Sequence, residues 1–154
     1  KRALAATAVL DTEVKLEELM ELKSQVDHPR RNITWYEQVN KQLKAVLEHG
    51  EGRVLGMRDR GVLTAAVFLA VTATRIIYLM PVSNSVGKEE RAMFRIVDHV
   101  IREFAGSALT LDFEGSDIPG IARFFTGFGA SPETYQALDV RRFPFSISKQ
   151  AGYG

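Results

Sequence analysis

The sequence predicts an α/β domain with a mixed, mostly antiparallel sheet flanked by helices. Two amphipathic segments come first, and three β-rich runs joined by short turns follow them, an order typical of an antiparallel meander. A long amphipathic segment then leads from the third run to a fourth. Because strands connected through a helix normally lie parallel, one parallel pair is expected within this sheet.

The first two elements are predicted helices. Asp11 is the expected N-cap of the first helix, which ends near Gln25 and carries its leucines on one side. Thr34 and Glu37 have capping-box spacing and open the second helix, which Gly50 ends. Each helix therefore has an apolar face to place against the sheet.

Turn signals rich in glycine bracket the predicted strands. The strands are expected at residues 53–58, 62–71, 74–82 and 109–114, with a helix over residues 88–104 before the last of them. A short helix with Pro119 in its first turn follows, and residues 135–145 are expected to form the final strands.

Composition bounds the possible functions. The 154 residues, of which 45% are hydrophobic, suffice for one domain, which is expected at residues 11–154. Residues 1–10 are expected to be an entry segment from a preceding domain. A net charge of +1 gives no global field for nucleic acid, and the longest apolar run, Val62–Val71, is too short to span a membrane. The absence of cysteine excludes disulfides and suits a cytoplasmic protein, and the three histidines lack metal-ligand spacing.

Residues 76–91 have the outline of an anion-binding site. A β-rich run ends at Pro81, a polar loop with Gly87 follows, and the next helix is predicted to begin near Lys88. Free N–H groups at a helix start stabilise a phosphate or carboxylate, and Gly87 would let the backbone approach it. Because Pro81 cannot donate to a sheet ladder, pairing with the neighbouring strand is expected to stop there and to leave a slot.

The element order and the loop SNSVGKEERA (residues 83–92) resemble the Gcn5-related N-acetyltransferase (GNAT) superfamily. The loop is similar to the pyrophosphate-binding loop of that superfamily: Asn84 stands first, Gly87 matches, and Glu89 replaces a small residue. The resemblance implies a GNAT-like fold with a splayed parallel strand pair and with acyl-coenzyme A as donor substrate. It assigns donor binding to Met80, Val82, Ser83, Ser85, Val86, Gly87, Lys88 and Glu89.

A second motif, LDFEGSDIPGIARFFTGFGA (residues 111–130), resembles the Fem-type branch of bacterial acetyltransferase-like proteins. Members of that branch commonly carry two such domains in tandem. The resemblance implies that this chain is a C-terminal domain whose partner is an upstream GNAT-like domain or a second copy.

Four residues are candidates for proton transfer. In many members of the superfamily a tyrosine protonates the departing thiolate, and its position matches Phe125 here, which leaves Tyr78 or Tyr135 for the role. Asp112 and Glu114 alternate along one predicted strand and share a face, so one of them would accept a proton from an attacking amine, helped by a pKa that burial raises. Alternatively, Asp112 satisfies backbone N–H groups and Glu114 pairs with a surface arginine.

Three functions are compatible with these residues. The first is an N-acyltransferase that moves an acyl group from acyl-coenzyme A to an amine acceptor. The second is Fem-type transfer from aminoacyl-tRNA, against which the net charge of +1 counts, because tRNA binding normally needs a basic face. The third is a non-catalytic half of a tandem protein, which Glu89 and Phe125 favour.

Overall fold

The described part of the chain folds as a five-stranded sheet with helices on both faces. The computed structural model describes residues 8–27, 32–115 and 118–133. The strands are β1 (Val9–Asp11), β2 (Gly52–Asp59), β3 (Val62–Val71), β4 (Arg75–Ser83) and β5 (Thr110–Asp112). The helices are α1 (Leu16–Asp27), α2 (Ile33–Glu48), α3 (Ser85–Glu89), α4 (Ala92–Glu103) and α5 (Pro119–Thr126). The strands lie in chain order and pair antiparallel except for β4 and β5, which confirms the predicted fold class.

The sheet separates two hydrophobic cores. β3 is the central strand, and it is buried on both faces, which is why its sequence reads as one apolar run. Its residues Val67 and Leu69 belong to the core that α4 completes, whereas Ala66 and Phe68 belong to the core of α1 and α2. Each face of the sheet therefore has its own helical layer.

The N-terminal region differs from the prediction. Asp11 ends β1 and is not a helix N-cap, because its carboxylate accepts hydrogen bonds from the N–H of Glu13 at 2.9 Å and from Arg58 at 2.7 Å. α1 begins only at Leu16. A strand of three residues is too short to show alternation, so the sequence did not indicate it, and the sheet extends into the segment assigned to residues 1–10.

α2 begins earlier than predicted. Asn32, and not Thr34, is the N-cap, because the Asn32 side chain accepts a hydrogen bond from the N–H of Trp35 at 2.9 Å. The predicted end is confirmed, since Gly50 follows the helix with a left-handed φ of +74°.

The helix predicted from Lys88 onward is two helices. Asn84 is the N-cap of the five-residue α3, which therefore starts before Lys88. Arg91 then takes up the left-handed conformation with φ +53°, and α4 starts after it. A non-glycine residue in this conformation is uncommon, and no pattern in the sequence indicates the break.

Two further expectations concern the rest of the chain. The final strands predicted at residues 135–145 lie outside the described residues. Within the described ranges, no helix has the length and apolar character needed to cross a membrane.

Candidate functional site

The parallel strand pair separates early. β4 and β5 pair only from Arg75 opposite Thr110 to Ile77 opposite Asp112, and β4 continues alone on that side to Ser83. The pair therefore opens before Pro81, where the separation was predicted. The cause lies on β5, because the Asp112 side chain accepts a hydrogen bond from the N–H of Glu114 at 2.9 Å, and Glu114 has a left-handed φ of +64°.

A β-bulge reshapes the unpaired part of β4. Ala66 pairs with Val82 and Phe68 with Leu79, so that Met80 and Pro81 both lie opposite Val67. Met80 has φ +52°. The extra residue reverses the alternation of side chains: Tyr78 packs in the α4 core, whereas Val82 packs in the core of α1 and α2.

A cavity of about 340 Å³ lies where the strands separate. One wall is the bulged part of β4, and the others come from α3, α4 and α5. Most of its lining is apolar or aromatic, but Lys88 and Arg91 place two cations at it. The lining residues are Tyr78, Pro81, Val82, Ser83, Gly87, Lys88, Arg91, Met93, Phe94, Gly120, Ile121, Phe124 and Phe125.

Tyr78 is the buried phenol of this cavity. Its ring contacts those of Phe113 and Phe125 edge to face, at centroid distances of 5.4 and 6.1 Å, and Phe113 stacks on Phe125 at 4.4 Å. The residue is only 5% exposed, and this burial raises the pKa of Tyr78. Its hydroxyl therefore keeps its proton at neutral pH. The alternative candidate, Tyr135, lies outside the described residues.

Packing against the sheet explains why position 87 is a glycine, whereas the sequence predicted that a ligand approaches the backbone there. Gly87 is buried, and a Cβ at this position would overlap the carbonyl oxygen of Thr64 on β3. The glycine is thus required for the contact between α3 and the sheet, whatever binds in the cavity. Its N–H donates to the Asn84 side chain at 2.9 Å, so the cap already occupies one donor of the helix start.

The predicted donor-binding residues divide into two groups. Val82, Ser83, Gly87 and Lys88 line the cavity. Met80 packs in the core of α1 and α2, and Ser85, Val86 and Glu89 are exposed and absent from the lining. Because α3 has only five residues, its dipole is small, and the side-chain charges of Lys88 and Arg91 are the main attraction for an anion.

The two candidate carboxylates do not line the cavity. Asp112 forms an ion pair with Arg75 at 2.7 Å. The N–H of Glu114 and then the guanidinium of Arg75 lower the pKa of Asp112, opposite to the rise expected from burial. Glu114 is exposed. The expectation that one of them faces the slot is therefore not met, although a role in proton transfer stays a prediction.

Sequence reasoning missed several lining residues. Aromatic residues at helical spacing indicate a core, yet Phe124 and Phe125 pack in the core and also form a cavity wall. Arg91 was not a candidate, because its place at the cavity depends on the helix break that its own left-handed conformation creates. The repeated apolar spacing of 121, 124 and 125 on α5 was the one available signal for this wall.

Comparisons with known proteins define the fold. No family model matches this sequence, and no curated protein matches it. Many solved structures match this chain, among them the following three, which cover most of it. Glucosamine-6-phosphate N-acetyltransferase from Arabidopsis thaliana is 10% identical, with a TM-score of 0.62 over 87% of this chain and 98% of its own. A predicted acetyltransferase from Clostridium acetobutylicum, solved with acetyl-CoA, is 9% identical, with a TM-score of 0.64 over 87% and 96%.

The third structure is AAC(6')-Iy in complex with the bisubstrate analog CoA-S-monomethyl-acetylneamine. It is 11% identical, with a TM-score of 0.61 over 88% of this chain and 98% of its own. At such identities the likeness concerns the fold. The chain has the fold of the GNAT acetyltransferases, with its cavity at the separated strand pair.

Proposed function

We propose that this protein is an N-acyltransferase that moves an acyl group from acyl-coenzyme A to an amine. The observation that carries the proposal is the cavity between the separated end of β4 and α5, with two cations and an aromatic interior. Its fold is shared with the predicted acetyltransferase that was solved with acetyl-CoA. A ligand with an anionic part and a long, less polar arm suits such a lining.

The donor would lie along β4. Beyond Ile77, the edge of β4 that faces away from β3 has no strand partner among the described residues, so its peptide groups are available to an extended ligand such as the pantetheine arm. Lys88 and Arg91 would hold the phosphates. The resemblance also assigns donor binding to residues that do not line the cavity, and this assignment stays a prediction: Met80, Ser85, Val86 and Glu89.

The transfer needs two proton steps. The amine nitrogen attacks the thioester carbonyl, the C–N bond forms, the C–S bond breaks, and the thiolate leaves. Because its raised pKa makes Tyr78 a weak acid, we assign it hydrogen-bond donation to the developing thiolate, which receives its proton in the end from the attacking amine. Glu114 would accept this proton from the amine nitrogen as the C–N bond forms and would release it again for the thiolate, since Asp112 is held by Arg75.

Calorimetry with coenzyme A tests the proposal. The chain should bind it in the micromolar range, at about −8 kcal/mol. The double variant Lys88→Met and Arg91→Asn should weaken this binding by about tenfold, because two phosphate contacts are lost; asparagine tolerates the left-handed conformation of position 91. Pantetheine, which lacks the pyrophosphate, should bind the wild type and the double variant equally.

The exposed Lys44→Met on α2 is the matched control and should bind coenzyme A like the wild type. Absence of binding by coenzyme A and by acetyl-coenzyme A would overturn the acyltransferase proposal.

The second candidate function is the Fem-type one. Phe125 in the aromatic wall favours the non-catalytic form of this function, because a phenyl ring cannot serve as the acid of the usual reaction. Under this proposal the chain is the C-terminal half of a cytoplasmic tandem protein and either uses aminoacyl-tRNA or serves as a non-catalytic partner. A gel shift with aminoacyl-tRNA that weakens with salt would support the first form, and its absence together with no coenzyme A binding would leave the second.

A further inference from the structure

We propose that Lys23 is a positioning residue for the donor cavity: its ammonium group fixes the bulge of β4 from the opposite face of the sheet. The inference rests on the proposed function only in so far as the bulge forms a wall of the donor site. Lys23 Nζ donates a hydrogen bond to the carbonyl oxygen of Pro81 at 3.2 Å. Pro81 lies in the bulge and lines the cavity.

The lysine reaches the bulge from the layer that does not contain the cavity. α1 packs in the core with Val82 and Met80, whereas the cavity lies on the face of Tyr78 and α4. A bulge disrupts the ladder locally and leaves backbone groups to be satisfied by other donors. The ammonium of Lys23 supplies such a donor where Met80 already holds a left-handed φ of +52°.

Asp27 holds the lysine in this position. Its carboxylate lies 3.3 Å from Lys23 Nζ, and the two side chains are only 17% and 20% exposed. Asp27 is the last residue of α1, where the helix dipole disfavours an acidic side chain. A carboxylate there does not stabilise the helix end, so the Asp27 carboxylate is explained, among the described residues, by its contact with Lys23.

Loss of the ammonium would free the bulge to move along the strand. A slip of one residue would turn the Val82 side chain out of the core of α1 and α2 and would redirect Pro81 and Ser83, so the cavity wall that these three residues form would change shape. We call the contact of Lys23 with the Pro81 carbonyl, supported by Asp27, the clamp. The clamp therefore sets the shape of the wall along which the donor would lie, while the helices and the rest of the sheet keep their packing.

Amide hydrogen exchange on the whole chain tests the clamp without any ligand. In Lys23→Met, which keeps an unbranched side chain, exchange in residues 79–84 should be about tenfold faster, as expected for one lost charge-assisted hydrogen bond. β2 and β3 should be unchanged. Lys23→Arg should restore slow exchange, and the exposed Lys41→Met on α2 is the matched control. Unchanged exchange in residues 79–84, or an equal rise in all strands, would overturn the proposal.

A second measurement connects the clamp to the donor. Lys23→Met should bind coenzyme A about tenfold more weakly than the wild type well below its unfolding temperature, and Lys23→Arg should recover most of the affinity. Equal affinity of Lys23→Met and the wild type would overturn the positioning role. If the wild type itself binds no coenzyme A, the proposed function fails, whereas the exchange measurement still decides whether Lys23 holds the bulge.

Discussion

Within the described residues, Ile76 and Ile77 of β4 pair with β3 on one side and with β5 on the other, whereas residues 78–83 pair with β3 alone. We call residues 75–77, which lie beside β5, the closed half of the strand and residues 78–83 the open half. In the closed half, Ile76 is 2% exposed and Arg75 forms an ion pair with Asp112. In the open half, a bulge, a left-handed Met80 and a cavity follow one another. The comparison teaches that one strand can stabilise the sheet where it pairs on both sides and can form a wall of a cavity where the second pairing stops.

The largest expected effect concerns the packing of α3 against β3 beside the open half of β4. Gly87→Ala places a methyl group on the Thr64 carbonyl, and since this neighbour is backbone, we expect a loss of about 3 kcal/mol in the free energy of unfolding. Denaturant unfolding measures it. Gly120→Ala is the matched control, because its added methyl group would meet no atom within 4 Å and alanine favours a helix, so it should gain up to about 1 kcal/mol. Equal stability of Gly87→Ala and the wild type would contradict this packing role.

The next effect concerns the buried phenol of the open half. Tyr78→Phe keeps the ring contacts with Phe113 and Phe125 and removes only the hydroxyl. We expect kcat for acyl transfer to fall by about 10²-fold while the unfolding temperature stays close to that of the wild type. Adding Phe125→Tyr should recover part of the rate, because it supplies a hydroxyl on the same cavity wall. An unchanged kcat in Tyr78→Phe would remove Tyr78 from the reaction.

A smaller effect is expected at the point where the halves separate. Glu114 is exposed, so water competes with it as a proton acceptor, and Glu114→Gln should lower kcat by about tenfold. The loss should become smaller at high pH, where free amine and hydroxide are more abundant. A rate profile equal to that of the wild type at every pH would exclude Glu114 as the base, and Asp112→Asn would then be the variant to measure.

The smallest effect concerns ion pairs away from the cavity, which Arg58 forms with Asp11 and Glu18 and Arg75 forms with Asp112. Hydrogen bonds from Arg58 lower the pKa values of Asp11 and Glu18, and the pKa of Asp112 is lowered in the same direction. A carboxyl group with a lowered pKa stabilises the fold above its ordinary value, 3.8 for Asp11, and this contribution is lost as the pH falls through the folded value. Unfolding free energy should therefore decrease below about pH 4, and Arg58→Met should reduce this dependence by less than about 1 kcal/mol. A pH dependence identical in both proteins would contradict the assignment.

The sequence predicted the regular parts of the molecule. Helical and alternating patterns identified α1, α2, the meander and the parallel order of β4 and β5, because each pattern extends over many residues. It missed β1, the bulge at Met80 and the break at Arg91, since each depends on one or two residues whose conformation the tertiary contacts decide. Tyr78 and Lys88 were predicted near the ligand and line the cavity, whereas the aromatic wall and Arg91 required the structure.

Hydrogen exchange of β4 with and without acetyl-coenzyme A tests the central claim most directly. If the open half is the donor site, acetyl-coenzyme A should slow exchange in residues 78–83 and in α3, while Ile76 and Ile77, already paired on both sides, should show no change. No slowing at saturating acetyl-coenzyme A, or slowing confined to the closed half, would contradict the account.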